Sequence, residues 1–115
     1  MSNDERGILL IVDDDAINRG ILEQIFAADY TIAEAENGSD GLEKVLADPN
    51  HLCAVLLDVV MPVMDGLEVL RRLHREDLLR RLPVFLITAE TGDRVLREAY
   101  SLGVMDVISK PVVPY

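Results

Sequence analysis

Short apolar runs recur along this chain with amphipathic stretches between them. The runs are Ile8–Val12, Thr31–Ala35, Ala54–Leu57, Val84–Thr88 and Met105–Ser109, several of them rich in β-branched residues. They are apolar on both faces, which suits parallel strands covered on both sides. Helical periodicity fills the gaps. Ile17, Ile21, Leu22 and Ile25 share one face, as do Leu42, Val45 and Leu46; further on come Val69, Leu70 and Leu73, then Val95, Leu96, Ala99 and Leu102. Gly38, Pro49, Asn50, Gly66, Pro83, Gly92 and Gly103 punctuate the joins. The order β-α-β-α-β-α-β-α-β predicts a doubly wound α/β sheet. After the last run only Lys110-Pro-Val-Val-Pro-Tyr115 remains, too short and proline-rich for another helix. A fifth helix is therefore expected to be missing or truncated, with the chain continuing into a longer protein or taking cover from a partner.

Composition narrows the picture. At 115 residues the chain is expected to form one domain, spanning 1–115, with an aliphatic core, because half of it is hydrophobic yet it holds two Phe, three Tyr and no Trp. A formal net charge of −10 argues against a nucleic-acid-binding surface on the domain itself. No apolar run approaches the length of a membrane span, and residues 1–7 are too polar for a signal peptide. The single Cys53 can form no internal disulfide, which fits a reduced, cytoplasmic setting.

The chemistry lies at the ends of the runs. In open α/β sheets, ligands bind beyond the carboxyl ends of the strands, where the winding direction changes. There the first run ends in Asp13-Asp14-Asp15, the third in Asp58, the fourth in Thr88 and the fifth in Lys110-Pro111; the second ends in Glu34-Ala-Glu-Asn-Gly, at the expected sheet edge. Adjacent carboxylates at about 4 Å repel by roughly 4 kcal/mol at an effective dielectric near 20. A hard divalent cation among them removes that cost. Mg²⁺ takes oxygen ligands, commonly one or two carboxylates, and keeps waters that phosphate oxygens can displace. A metal, a carboxylate, a lysine and a hydroxyl around one point make a site for a phosphoryl group, with Asp58 as the in-line nucleophile.

The stretches "IVDDD", "LLDVVMPVMDG", "LITA" and "ISKP", in this order and on these strand ends, resemble the receiver domain of two-component response regulators, and "AENGSDGLEKV" resembles that family's entry to its second helix. The resemblance runs from about Ile8 to Pro111. It implies a flavodoxin-like sheet of order 2-1-3-4-5. It implies Asp58 as phosphoacceptor, with Asp13, Asp14, Asp58 and the Val60 backbone carbonyl holding Mg²⁺ or Mn²⁺. Thr88 would close onto the phosphoryl group, Lys110 would pair with it, and the Lys110–Pro111 bond would be cis. The implied donor is a sensor histidine kinase or a histidine phosphotransfer protein. An output domain or effector protein would read the switch, with a homodimer as a further option. The domain would catalyse only its own phosphorylation and dephosphorylation. Two departures from the family stand out: Val107 occupies a position that commonly holds Tyr or Phe, and the fifth helix, part of a dimerisation face in many relatives, is absent. Val60 and Glu90 hold positions that tune phosphoryl lifetime in relatives.

Other readings remain beside this one. Haloacid-dehalogenase-like phosphatases also place Asp-x-Asp after a first strand, here Asp13 and Asp15, but need an acidic pair after the lysine and would leave Asp58 idle. A pseudo-receiver would keep the fold as a protein-binding module. No P-loop pattern is present, so ATP is not the expected donor. Asp15 reads as the N-cap of the first helix and Asp65-Gly66 as a turn and helix start. His51 and His74 read as solvated, and Met61 and Met64 as loop packing. Arg71, Arg72, Arg75, Arg80 and Arg81, interspersed with Glu68, Glu76 and Asp77, read as an ion-paired face, with a partner-docking patch as the alternative.

Overall fold

The computed structural model describes residues 7–89 and 92–112. Its elements run β1 (Ile8–Val12), α1 (Ala16–Phe26), β2 (Thr31–Ala35), α2 (Gly38–Ala47), a 3₁₀ turn (Pro49–His51), β3 (Leu52–Leu57), α3 (Gly66–Arg75), β4 (Val84–Thr88), α4 (Asp93–Leu102) and β5 (Asp106–Ser109). The strands form one parallel sheet in the order β2-β1-β3-β4-β5, the expected flavodoxin-like arrangement. Glu90 and Val113-Pro114-Tyr115 lie outside the described residues.

Both faces of the central strands are buried, which is why their sequences show no polar alternation. Leu10, Val12, Val55, Leu57, Val84 and Leu86 point to one side, where they meet Val45, Val69, Leu70, Leu73 and Ala99 from α2, α3 and α4. Leu9, Ile11, Leu56 and Ile87 point to the other, against Leu22 of α1. Among the described residues α1 is the one helix that contributes to the cluster on that second face, with Tyr30 and Val112 packing beside it. An open apolar groove of about 200 Å³ remains beside it, lined by Leu9, Phe26, Tyr30, Ala54, Leu56, Phe85 and Ile108.

Three of the helices, α1, α2 and α3, start where a side chain can satisfy free backbone N–H groups. Asp15, Asn37 and Asp65 accept from the N–H groups of Ile17, Asp40 and Glu68. Gly103, at φ 113°, closes α4 in the left-handed conformation that a side chain would resist. Cys53 donates its Sγ–H to the Ile8 carbonyl at 3.2 Å, and burial raises its thiol pKa, so it behaves as packing.

The structure differs from the sequence pattern at a few places. β3 begins at Leu52, because a register shift between Ile8 and Leu9 lets Leu52 pair with Ile8 while Ala54 pairs with Leu9. β5 begins at Asp106; Met105 still donates its N–H to Val84 but its side chain is exposed. Ile17 is 74% exposed and does not join the buried face of α1: it stands in the first turn, past the end of β1. Leu46, in the last turn of α2, is also exposed. His51 and His74 are exposed yet partnered, with Nδ1 2.6 Å from Asp48 and 3.1 Å from the Leu102 carbonyl. Most of the arginine face is ion-paired, with Glu68 meeting Arg71, Arg72 and Arg75, Arg71 also reaching Glu98 on α4 at 2.6 Å, and Arg80 meeting Asp77.

Val63 takes φ 72°, with the Met64 N–H bonding back to the Pro62 carbonyl at 2.8 Å. A β-branched residue pays about 1–2 kcal/mol for left-handed backbone, more than the roughly 0.5–1 kcal/mol of unfolded-chain entropy that glycine adds. Val63→Gly is therefore expected to stabilise the fold by about 0.5–1 kcal/mol. The denaturant midpoint at constant slope measures it, and an unchanged or lower midpoint counts against strain at this residue.

Candidate functional site

β1 and β3 are paired neighbours in the middle of the sheet, with Val12 opposite Leu57. Each strand's next residue is an aspartate, and the Asp58 N–H donates to the Val12 carbonyl at 2.9 Å. That register alone brings Asp13 and Asp58 side by side at the carboxyl edge. Both are buried, at 2% and 6% exposure, whereas Asp14 is exposed. One carboxylate oxygen from each of Asp13, Asp14 and Asp58 lies within 4.8 Å of the others.

The buried pair is held firmly. Asp13 accepts from the Asp15 N–H through Oδ1 at 2.9 Å, and Asp58 accepts from the Val59 N–H through its own Oδ1 at 2.8 Å. Their remaining oxygens share one cation: Lys110 Nζ is 3.0 Å from Asp13 Oδ2 and 2.9 Å from Asp58 Oδ2. Burial by itself would lower the ammonium's pKa, but hydrogen bonds and attraction to Asp58 and Asp13 outweigh it, and the lysine stays above its ordinary range. Lys110 reaches the site because its N–H continues the β4–β5 ladder to the Thr88 carbonyl at 3.0 Å, and the Lys110–Pro111 bond is cis as expected. Thr88 is buried at the end of β4, opposite Ser109.

The β3–α3 loop is folded tightly beneath Asp58. The Gly66 N–H donates to the Val59 carbonyl at 2.8 Å, and a Cβ on Gly66 would fall 2.1 Å from the Asp58 carbonyl oxygen. Gly38 lets α2 approach the same loop, where a Cβ would meet the Met64 carbonyl oxygen at 2.0 Å. Val60 is 65% exposed at the rim, and Met61 is buried in the larger core. Val107, at the position where the resemblance expects Tyr or Phe, packs against that core from β5.

Asp13, Asp14, Asp58 and Lys110 thus meet at one edge, and Thr88 ends β4 on the same side of the sheet. Three carboxylates so close fit a hard divalent cation, which takes oxygen ligands; Lys110 compensates part of their charge without it. The sequence reading passed over Arg19, whose side chain is 16% exposed. Arg19 donates through Nη1 to the Asp13 backbone carbonyl at 2.7 Å and through Nε to Glu34 at 3.0 Å. One signal was available: Arg19 is the lone basic residue between Gly7 and Glu43.

Comparison with known proteins agrees with this fold. Residues 9–114 match the family model of the response regulator receiver domain. The chain is 41% identical to a protein-glutamate methylesterase/protein-glutamine glutaminase 2 of Methanosarcina acetivorans over 89% of its own length and 29% of that protein's. It is 36% identical to the transcriptional regulatory protein AfsQ1 of Streptomyces coelicolor, over 91% of this chain and 44% of the relative. Among solved structures, the CheX–CheY–BeF3–Mg complex of Borrelia burgdorferi superposes with a TM-score of 0.85 at 28% identity, covering 92% of this chain and 79% of that one. Vibrio cholerae CheY4 superposes with a TM-score of 0.83 at 25% identity, covering 95% and 90%.

Removing Lys110 leaves two buried carboxylates without their cation, and a broken buried ion pair costs about 3–5 kcal/mol. Lys110→Met in metal-free buffer is expected to lose stability on that scale. Asp58→Asn in the same chain is expected to return part of it, because one of the uncompensated charges is then gone. Additive losses in a denaturation double-mutant cycle would mean that the lysine and the aspartate are not energetically coupled.

Proposed function

The chain belongs to the family of response regulator receiver domains, and from that premise we propose that Asp58 is the phosphoacceptor of a phosphorelay. It takes its phosphoryl group from the phosphohistidine of a sensor histidine kinase or histidine phosphotransfer protein. One observation carries the reading: Asp13, Asp14 and Asp58 present oxygens within 4.8 Å of one another while Lys110 contacts two of them.

Asp13, Asp14, Asp58 and the Val60 backbone carbonyl would hold Mg²⁺, or Mn²⁺, which supplies neutralisation of phosphoryl oxygens. The magnesium in the Borrelia burgdorferi complex supports that choice of metal. Aspartate ordinarily carries its charge at neutral pH and attacks without a general base. A carboxylate oxygen of Asp58 bonds to phosphorus as the phosphorus–nitrogen bond to the donor histidine breaks, its electron pair returning to the imidazole. The product is an acyl phosphate on Asp58. Lys110, already 2.9 Å from Asp58 Oδ2, pairs with a phosphoryl oxygen, and the Thr88 hydroxyl takes another. Phosphorylation then shifts the population between two conformations that a partner reads.

The chain spans between 23% and 50% of the length of the first curated relatives it matches, which include methylesterases, transcriptional regulators and a cyclic di-GMP phosphodiesterase. The receiver is a signalling domain, and the output domain or effector it serves is part of the proposal, as is the restriction of its own chemistry to phosphorylation and dephosphorylation. Among the described residues no helix is long and apolar enough to cross a membrane.

Mg²⁺ is expected to raise the melting temperature by ligand linkage, and Asp13→Asn with Asp14→Asn to abolish the rise; a rise that survives both substitutions removes the metal assignment. With Mg²⁺ and a small acyl- or amido-phosphate donor, the intact mass is expected to gain one phosphoryl group, alkali-labile and absent in Asp58→Asn. Steady phosphate release with no modified protein would favour a phosphatase. Metal binding without modification would favour a protein-binding module that has kept only the fold.

A further inference from the structure

We propose that Arg19 is a positioning residue for the metal-binding carboxylates, an inference that rests on the assignment of Asp13 and Asp14 to the metal. Arg19 touches neither carboxylate. Its Nη1 donates to the backbone carbonyl of Asp13 at 2.7 Å, and its Nε is anchored by Glu34 Oε1 at 3.0 Å. That carbonyl belongs to the peptide joining Asp13 to Asp14, so the orientation of the peptide sets where the Asp14 side chain starts. The rest of Asp13 is already fixed, its N–H on the Ala35 carbonyl at 3.1 Å and its Oδ1 on the Asp15 N–H at 2.9 Å. The Arg19 bond removes the remaining freedom of the peptide plane.

The anchor is built into the sheet. Glu34 lies on β2 opposite Ile11, and its backbone carbonyl accepts from Lys44, which also pairs with Asp40. A bare guanidinium beside a cation site would repel the cation. Glu34 neutralises it, so the fork of Arg19 can hold the loop while adding little net positive charge. Lysine has no such fork and cannot hold carbonyl and carboxylate in the same geometry. Outer partners that orient metal ligands typically change metal affinity by about 10–100-fold when removed.

Calorimetric titration of the full chain with Mg²⁺, well below each variant's metal-free melting temperature, tests the proposal. Arg19→Ala is expected to weaken Mg²⁺ binding roughly tenfold, Arg19→Lys to recover little of it, and Glu34→Gln to weaken it by a smaller factor. A merely structural role would lower the metal-free melting temperature and leave the dissociation constant of the folded protein where it was. An unchanged or tighter constant in Arg19→Ala overturns the proposal, as does full recovery in Arg19→Lys, which would make charge alone sufficient. Should Arg19→Ala not fold, Glu34→Gln decides by the same criterion. Absence of Mg²⁺ binding by the unaltered chain is a separate outcome and sinks the metal assignment itself.

Discussion

The pairing of Val12 with Leu57 fixes the geometry on which the rest depends. In a parallel sheet the strands end on the same side, so residues that follow paired positions emerge together. Aspartates placed one step beyond this pair come into contact whatever the loops do afterwards. A slip of one residue would turn every side chain of β1 to the opposite face. Leu10 and Val12 on one side and Leu9 and Ile11 on the other are packed against different neighbours, so that slip would cost the fit of both layers. The hydrophobic core is therefore also the device that sets the spacing of the charges.

Holding charges there is expensive, and the molecule offsets the expense locally. Asp13 and Asp58 each spend one oxygen on a backbone N–H and the other on Lys110. Hydrogen bonds to carboxylates are among the stronger ones, and satisfied charges are the ones that a buried position tolerates. Three carboxylates and one ammonium still leave an excess of negative charge. That excess supports the proposed metal reading: the protein stands with its carboxylates together before any cation arrives.

Much of this was legible in the sequence, because the strands are short, uniformly apolar and end in charged residues. The positions of β1, β2 and β4 and the convergence of Asp13, Asp14, Asp58 and Lys110 at one edge follow from those runs, while the strand order was implied by the resemblance. What escaped depends on contacts that periodicity does not encode. The earlier start of β3 comes from a register shift around Cys53, and the exposure of Ile17 from the first turn of α1 standing beyond its strand. Arg19 reads as an ordinary helix arginine until the fold brings Glu34 and the Asp13 carbonyl to it. The close approaches at Gly38 and Gly66 were visible only as punctuation, since a glycine's neighbours cannot be read from its own position.

The cation and the anions of this edge are mounted on very different supports. Asp13 and Asp58 continue interior strands packed on both sides, whereas Lys110 continues β5, an outer strand with one partly buried residue and three exposed ones. Outer strands with thin cover open locally at low free energy, while interior strands open only with the whole molecule. Fraying of β5 would withdraw the ammonium and leave the two carboxylates standing, so the electrostatic state of the edge is coupled to the mechanical looseness of the sheet's margin. Whatever stiffens or loosens that margin acts on the counter-ion without touching the acids.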